Sequence, residues 1–182
     1  QRFEARMRPM DGGGYMLMID EEELTLSPGA SRPLVYDFDL LDRAASRASE
    51  DLPLRALTYA VFDTETTGLL PHKDEIVQIG ALRIVNGRIV PGEVIDQLVN
   101  PGRPIPASAS KVHRVTDAMV QGAPDIASAG ARFHEFAKGS VIVAHNAPFD
   151  MAFLRRHAQR MGVEWDNPIL DTVLLSAVLF GT

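Results

Sequence analysis

Regular hydrophobic patterning begins near Leu57 and continues to the end of the 182-residue chain. Residues 58–62 are a short β-branched and aromatic run that stops at Asp63, the pattern of a buried strand. After a turn over 68–74, residues 75–85 read as a second strand. Asn86-Gly87 is the strongest short hairpin signal and leads into a third strand over 88–99. Pro101, Pro104 and Pro106 interrupt the pattern, and a helical region follows from 108 to 120. Residues 125–138 place Ile126, Ala129, Phe133, Phe136 and Ala137 at helical spacing, which predicts an amphipathic helix packed on the sheet. Residues 141–144 are a short, fully apolar strand. Asn146 then caps a helix that tolerates Pro148 in its first turn and runs to Met161. A last strand over 169–172 and a helix from Val173 complete the pattern. A three-strand meander followed by alternating helices and strands implies an α/β fold, a mixed sheet flanked by helices.

The first 57 residues differ from the rest. Gly12-Gly13-Gly14 precedes an apolar stretch over 15–19, then an acidic run over 20–23 and a Pro/Gly/Ser stretch over 27–33. We read residues 1–57 as an adapter or the remnant of a preceding domain, and 58–182 as the main domain. The chain opens at Gln1 without a charged-then-apolar leader, so a piece of a longer protein is expected. Hydrophobic residues make up 46% and charged residues 23%, which excludes wholesale disorder. The longest nearly unbroken apolar run, 172–180, is far short of the ~20 residues that span a bilayer, so no membrane contact is expected. A chain with 0 Cys has neither disulfides nor thiolate zinc sites nor a cysteine nucleophile, which suits the cytoplasm. The net charge of −6 argues against a broad basic face coating duplex DNA. A small footprint on one strand end, bridged by divalent cations on carboxylates, remains compatible with it.

The sharpest chemical feature is Asp63-Thr64-Glu65-Thr66-Thr67-Gly68, at the C-terminal end of the first buried strand. Residues two apart on a strand share a face, so Asp63 and Glu65 point together into the crevice where α/β sheets place their sites. Two like charges ~4 Å apart repel by ~4 kcal/mol at an effective dielectric of 20, a cost that a bound divalent cation reverses. The plainer alternative is a strand-end aspartate making a turn beside a solvated glutamate. The second feature is Ala144-His145-Asn146-Ala147-Pro148-Phe149-Asp150, at the junction between a strand and a helix. An acid in a first helical turn is favoured by the helix dipole alone. Two strand ends in one parallel sheet nevertheless face one crevice, so Asp150 is expected to join Asp63 and Glu65 around one metal centre. His145 by itself is more often a packing residue than a ligand.

Residues Val61 to Leu69 and Ala144 to Asp150, with Lys111-Val112-His113-Arg114-Val115-Thr116 between them, closely resemble the first two motifs and the intervening loop of the DEDDh exonuclease family. This is the ribonuclease H-like group that contains the proofreading epsilon subunit of bacterial DNA polymerase III. The resemblance covers about 57–182 and implies a ribonuclease H-like fold. It also implies hydrolysis of a phosphodiester at the 3′ end of single-stranded DNA or RNA by two Mg²⁺ or Mn²⁺ ions. By that resemblance Asp63 bridges both ions, Glu65 holds the nucleophile-side ion, and Asp150 contributes directly or through water. The backbone around Thr66 and Gly68 would receive the terminal nucleotide, with Thr64 and Asn146 at the same site and His113, Val115 and Phe149 packed on its sugar or base. Arg155 and Arg156 are candidate phosphate contacts. The implied partners are a nucleic-acid 3′ end and a polymerase or other replication or repair protein.

The family's third motif, a His followed five residues later by an Asp, supplies the general base and a further ligand, and is expected downstream of 169–180. Of His72, His113, His134, His145 and His157, only His145 has an Asp five residues on. Asn146, Phe149 and the preceding apolar strand make that pair the second motif instead. A C-terminally incomplete exonuclease domain is therefore expected. Two alternatives remain: a non-catalytic nucleic-acid or partner-binding module with a degenerate nuclease fold, and an adapter or sensor whose function lies in residues 1–57.

Overall fold

A computed structural model describes residues 5–9, 15–19 and 53–180. Strand β1 (Ala5–Pro9) pairs antiparallel with β2 (Tyr15–Ile19), so the apolar stretch after the glycine run is extended. The acidic run over 20–23 and the Pro/Gly/Ser stretch over 27–33 lie outside the described residues.

The main sheet has five strands in the order β5-β4-β3-β6-β7. Strands β3 (Thr58–Thr66), β4 (Ile76–Val85) and β5 (Arg88–Leu98) form the expected antiparallel meander. Asn86 and Gly87, at φ 51° and 72°, make the turn between the last two, a conformation these two residue types tolerate. Strand β6 (Val141–Ala144) runs parallel to β3, and β7 (Ile169–Asp171) runs parallel to β6. The mixed, helix-flanked sheet read from the pattern is the one that forms. Strand β3 extends past Phe62 to Thr66, because pairing with β4 continues to Thr66 opposite Ile76 despite a register shift after Glu65.

Two predicted helices are divided. The 108–120 region becomes α1 (Ala107–His113) and α2 (Asp117–Val120), separated where Arg114 turns left-handed at φ 65°. The helix expected from Asn146 to Met161 becomes α4 (Ala147–Arg156) and α5 (Ala158–Met161), with His157 at the break. Between them α3 (Ile126–Ala137) forms as the 3.6-residue spacing requires, with the Asp125 side chain accepting from Ser128 N at 3.0 Å as its N-cap. The chain continues in α6 (Thr172–Phe180). One face of the sheet, carrying Ala60, Phe62 and Ile142, packs against α3 and α4 through Phe133, Phe149 and Phe153. Phe62 and Phe133 meet with ring centroids 4.7 Å apart. A smaller cluster gathers Val77, Ile105, Val115 and Val120 beside α2. By alternation, Asp63 and Glu65 lie on the face opposite this main core.

Candidate active site

Strand β3 alternates cleanly at its end. Phe62, Thr64 and Thr66 are buried, whereas Asp63 is exposed and Glu65 half-buried. The two carboxylates therefore share one face, as their spacing requires. Directly across from them on β4 stand Gly80, opposite Asp63, and Gln78, opposite Glu65. The Gln78 side chain donates to the Asp96 carboxylate of β5 at 2.7 Å.

Asp150 is placed differently. It lies fully buried in the first turn of α4 and accepts through Oδ1 from Thr64 N at 3.1 Å and from Thr64 Oγ1 at 2.5 Å. The Thr64 side chain points away from the face of Asp63 and Glu65, so Asp150 reaches the strand end from behind. Among the described residues, no group of three or more His, Asp or Glu side chains converges closely enough to hold a metal ion. Asp63 and Glu65 do supply hard oxygen donors on one face, the ligand chemistry that Mg²⁺ and Mn²⁺ select, with water able to complete the shell.

After Glu65 the chain enters a loop built on its own side chains. Thr66 Oγ1 donates to Gly68 O at 2.7 Å, and Thr67 pairs with Glu75 through Thr67 N to Glu75 O at 2.8 Å and Glu75 N to Thr67 Oγ1 at 3.0 Å. The Asp74 carboxylate accepts from Thr67 Oγ1 at 3.1 Å and from Leu70 N at 3.0 Å. A Cβ on Gly68 would come within 2.4 Å of that carboxylate, so only glycine lets the turn close this tightly. The loop and α1 together border a cavity of ≈ 240 Å³ lined by Glu65, Thr66, Gly68, Leu69, Val112 and His113, among others. Thr66, Gly68 and His113 thus come together beside Glu65, as the sequence placed them. Val115 N donates to His113 Nδ1 at 3.0 Å, which leaves the ring proton on Nε2 in the neutral imidazole.

Three predicted site residues lie behind the surface. Val115 is buried with Val77 and Val120, and Phe149 is buried edge-on against Phe153 at 5.3 Å between ring centroids. Asn146 is left-handed at φ 60° and makes no side-chain cap. The cap comes from Asp171, at the end of β7, which accepts from Asn146 N and Ala147 N, both at 3.1 Å. Asp171 also accepts from Val173 N at 2.8 Å and so starts α6. An Asp-Thr pair at a strand end is a local signal for that second role but not for the first. His145 Nδ1 bonds to Thr172 Oγ1 at 3.0 Å, which ties the same junction together.

Arg156 does not face a phosphate. Its guanidinium donates to Pro71 O, to Asp74 O at 2.7 Å and to the Glu75 carboxylate at 2.6 Å, clamping the end of α4 to the loop. The other oxygen of Glu75 meets His157 Nε2 at 2.8 Å. Burial holds the His157 pKa below its ordinary 6.5, although Glu75 pulls the other way.

An "Exonuclease" family model matches residues 60–181. A "DNA polymerase III subunit epsilon-like protein" of Rhodobacter capsulatus is 64% identical over 151 residues, covering 82% of this chain and 21% of that protein. A "DNA polymerase III PolC-type" of Caldanaerobacter subterraneus is 43% identical over 122 residues, covering 67% and 9%. The chain thus spans about a fifth or less of the length of these curated relatives. Among solved structures, product-bound exonuclease I superposes with a TM-score of 0.59 at 22% identity over 67% of this chain and 32% of that one, a likeness of fold. Exonuclease X in complex with 5′ overhanging duplex DNA gives 0.52 at 32% identity over 67% and 64%. With the family model spanning residues 60–181, nearly all of the five-stranded sheet and its helices, the chain belongs to the exonuclease family.

Proposed function

We propose that this chain carries a metal-dependent 3′→5′ exonuclease domain that removes nucleotides from the 3′ end of single-stranded DNA. The observation that carries this reading is the pairing of Asp63 and Glu65 on one strand face, next to a cavity bordered by Glu65, Gly68 and His113. Asp63 and Glu65 would hold the divalent ions, with Asp150 fixing the strand from behind through Thr64. Two such ions, when bound, activate the attacking water and stabilise the leaving oxygen. The terminal nucleotide would enter the cavity between the 66–69 turn and α1, where the exposed side chains of Leu69 and Val112 offer apolar contact and His113 a ring. Relatives named as DNA polymerase III proteins support association with a polymerase or another replication or repair protein in the cytoplasm. Among the described residues no helix is long and apolar enough to cross a membrane.

A second reading, a non-catalytic nucleic-acid or partner-binding module, draws on the absence of a three-ligand cluster among the described residues. One experiment separates the two. The full-length native protein is incubated with Mn²⁺ and a single strand labelled at its 5′ end, beside Asp63→Asn. A ladder shortening from the 3′ end, lost in the variant, supports the nuclease. Strand binding without shortening establishes the module, and shortening that Asp63→Asn leaves intact refutes the site.

A further inference from the structure

Gly80 occupies the interior of β4, where glycine weakens a strand relative to alanine. Nothing among the described residues asks for glycine there. Its φ lies outside the left-handed region, and a Cβ built on it would meet no atom within 4 Å, in contrast to Gly68. The reason for the missing side chain therefore lies outside the packing of the described residues. A glycine within a strand often marks a place where a ligand or another backbone approaches closely.

The register shows where that approach would occur. Gly80 stands opposite Asp63 on β3 and opposite Asp96 on β5, so the three form one row across the sheet on the face that carries Glu65. Opposed side chains in an antiparallel pair have Cβ atoms ~4.5–5.5 Å apart, so a branched residue at position 80 would stand against the Asp63 carboxylate. The next row does not fill the gap, because Gln78 spends its amide on Asp96 at 2.7 Å.

We infer that Gly80 is a clearance residue that admits the ligand to Asp63 and Glu65: a divalent cation with its water shell, carrying the phosphodiester end of a strand, lies against the bare backbone of β4. This rests on the proposed function and deepens it by adding a residue that controls access without supplying a ligand. A methyl group at position 80 meets no described atom within 4 Å, so its bulk competes with the ion's water shell and the strand. Stability and ligand binding therefore move in different directions on substitution.

The test uses the full-length native protein as wild type, Gly80→Ala, Gly80→Val and Asp63→Asn. Three quantities are measured: the melting temperature without metal, the Mn²⁺ affinity by calorimetry, and kcat and KM on a single strand. Gly80→Ala should melt at or above the wild-type temperature, since its Cβ meets no described atom within 4 Å and alanine suits a strand interior better than glycine. Overpacking in an occupied space predicts a loss of ~10-fold or more in Mn²⁺ affinity or kcat/KM for valine, with alanine intermediate. Gly80→Ala decides the matter if valine fails to fold. A lower melting temperature with unchanged Mn²⁺ affinity and KM would make Gly80 a structural glycine and overturn the inference. Unchanged stability together with unchanged binding and kinetics would overturn it equally, while leaving the functional reading intact. A wild type with neither Mn²⁺ binding nor Asp63-dependent shortening of the strand overturns both.

Discussion

Replacing Arg156 with methionine keeps the aliphatic stem that packs along α4 and removes the guanidinium alone. Pro71 O, Asp74 O, the Glu75 carboxylate and His157 Nε2 each lose the guanidinium, while Glu75 keeps its contact with His157. Hydrogen bonds to charged groups contribute ~1.5–3 kcal/mol each when well buried, and one from an exposed pair contributes ~1 kcal/mol or less. The Arg156 and Glu75 side chains are 25% and 22% exposed, so water recovers part of the loss. A net destabilisation of ~2–3 kcal/mol is expected, which for a domain of this size lowers Tm by about 6–12 °C. The effect should be local as well as global, because the guanidinium joins the 68–75 loop to the helix. Amide exchange at residues 68–74 should therefore accelerate before the core amides at 141–144 do. Thermal melting followed by circular dichroism, with hydrogen exchange on the native state, measures both. A Tm within 1 °C of wild type and unchanged exchange in the loop would mean that water replaces the clamp at no cost, and the account of how the loop is held would be wrong.

Two further predictions follow from the same network and its neighbour. Burial lowers the folded-state pKa of His157, so as pH falls through 6.5 the unfolded chain takes up its proton first. The stability tied to neutral His157 is thus complete above about pH 6.5 and is lost below it, and His157→Gln should flatten a plot of denaturation midpoint against pH between 5 and 7; an equally steep plot for the variant would refute the assignment. Asp171→Ala orphans the amides of Asn146, Ala147 and Val173 and should destabilise the fold by ~1–3 kcal/mol, with Asp171→Asn milder; urea denaturation checks this, and equal midpoints for all three proteins would refute the capping role.

Features set by local periodicity were legible in the sequence. Alternation through 58–65 decided that Asp63 and Glu65 share a face, and Asn86-Gly87 fixed the hairpin that sets the β4–β5 register. Non-local partners were not legible. Asp150 was expected to join Asp63 and Glu65 around one metal centre, and its hydrogen bond to Thr64, 86 residues away, had no local sign in the sequence. Arg156 read as a solvated or phosphate-facing arginine because its acceptors include two carbonyls of a loop some 82 to 85 residues earlier. Asn146 had the residue type of a cap, but its left-handed backbone turns the side chain out of that role, and an aspartate from the neighbouring strand takes it. The break at Arg114 carried no glycine to announce it.

These non-local contacts share a geometry. Helix α4 is tied at its start to β7 through Asp171 and to β3 through Asp150 and Thr64, and at its end to the loop after β3 through Arg156 and Glu75. The stretch between those ties, from Thr64 to Glu75, contains Glu65, the Thr66–Gly68 turn and one wall of the cavity. The rear of the strand is thus held by buried, hydrogen-bonded groups while the front carries the exposed Asp63, the half-buried Glu65 and a side-chain-free position at Gly80. That division resolves a conflict between two demands on one short segment. Carboxylates facing each other across an open front repel and favour movement apart, and a site for ions needs them fixed to a fraction of an ångström. Rigidity supplied from behind, through Asp150, Thr64 and the Arg156–Glu75 pair, satisfies the second demand.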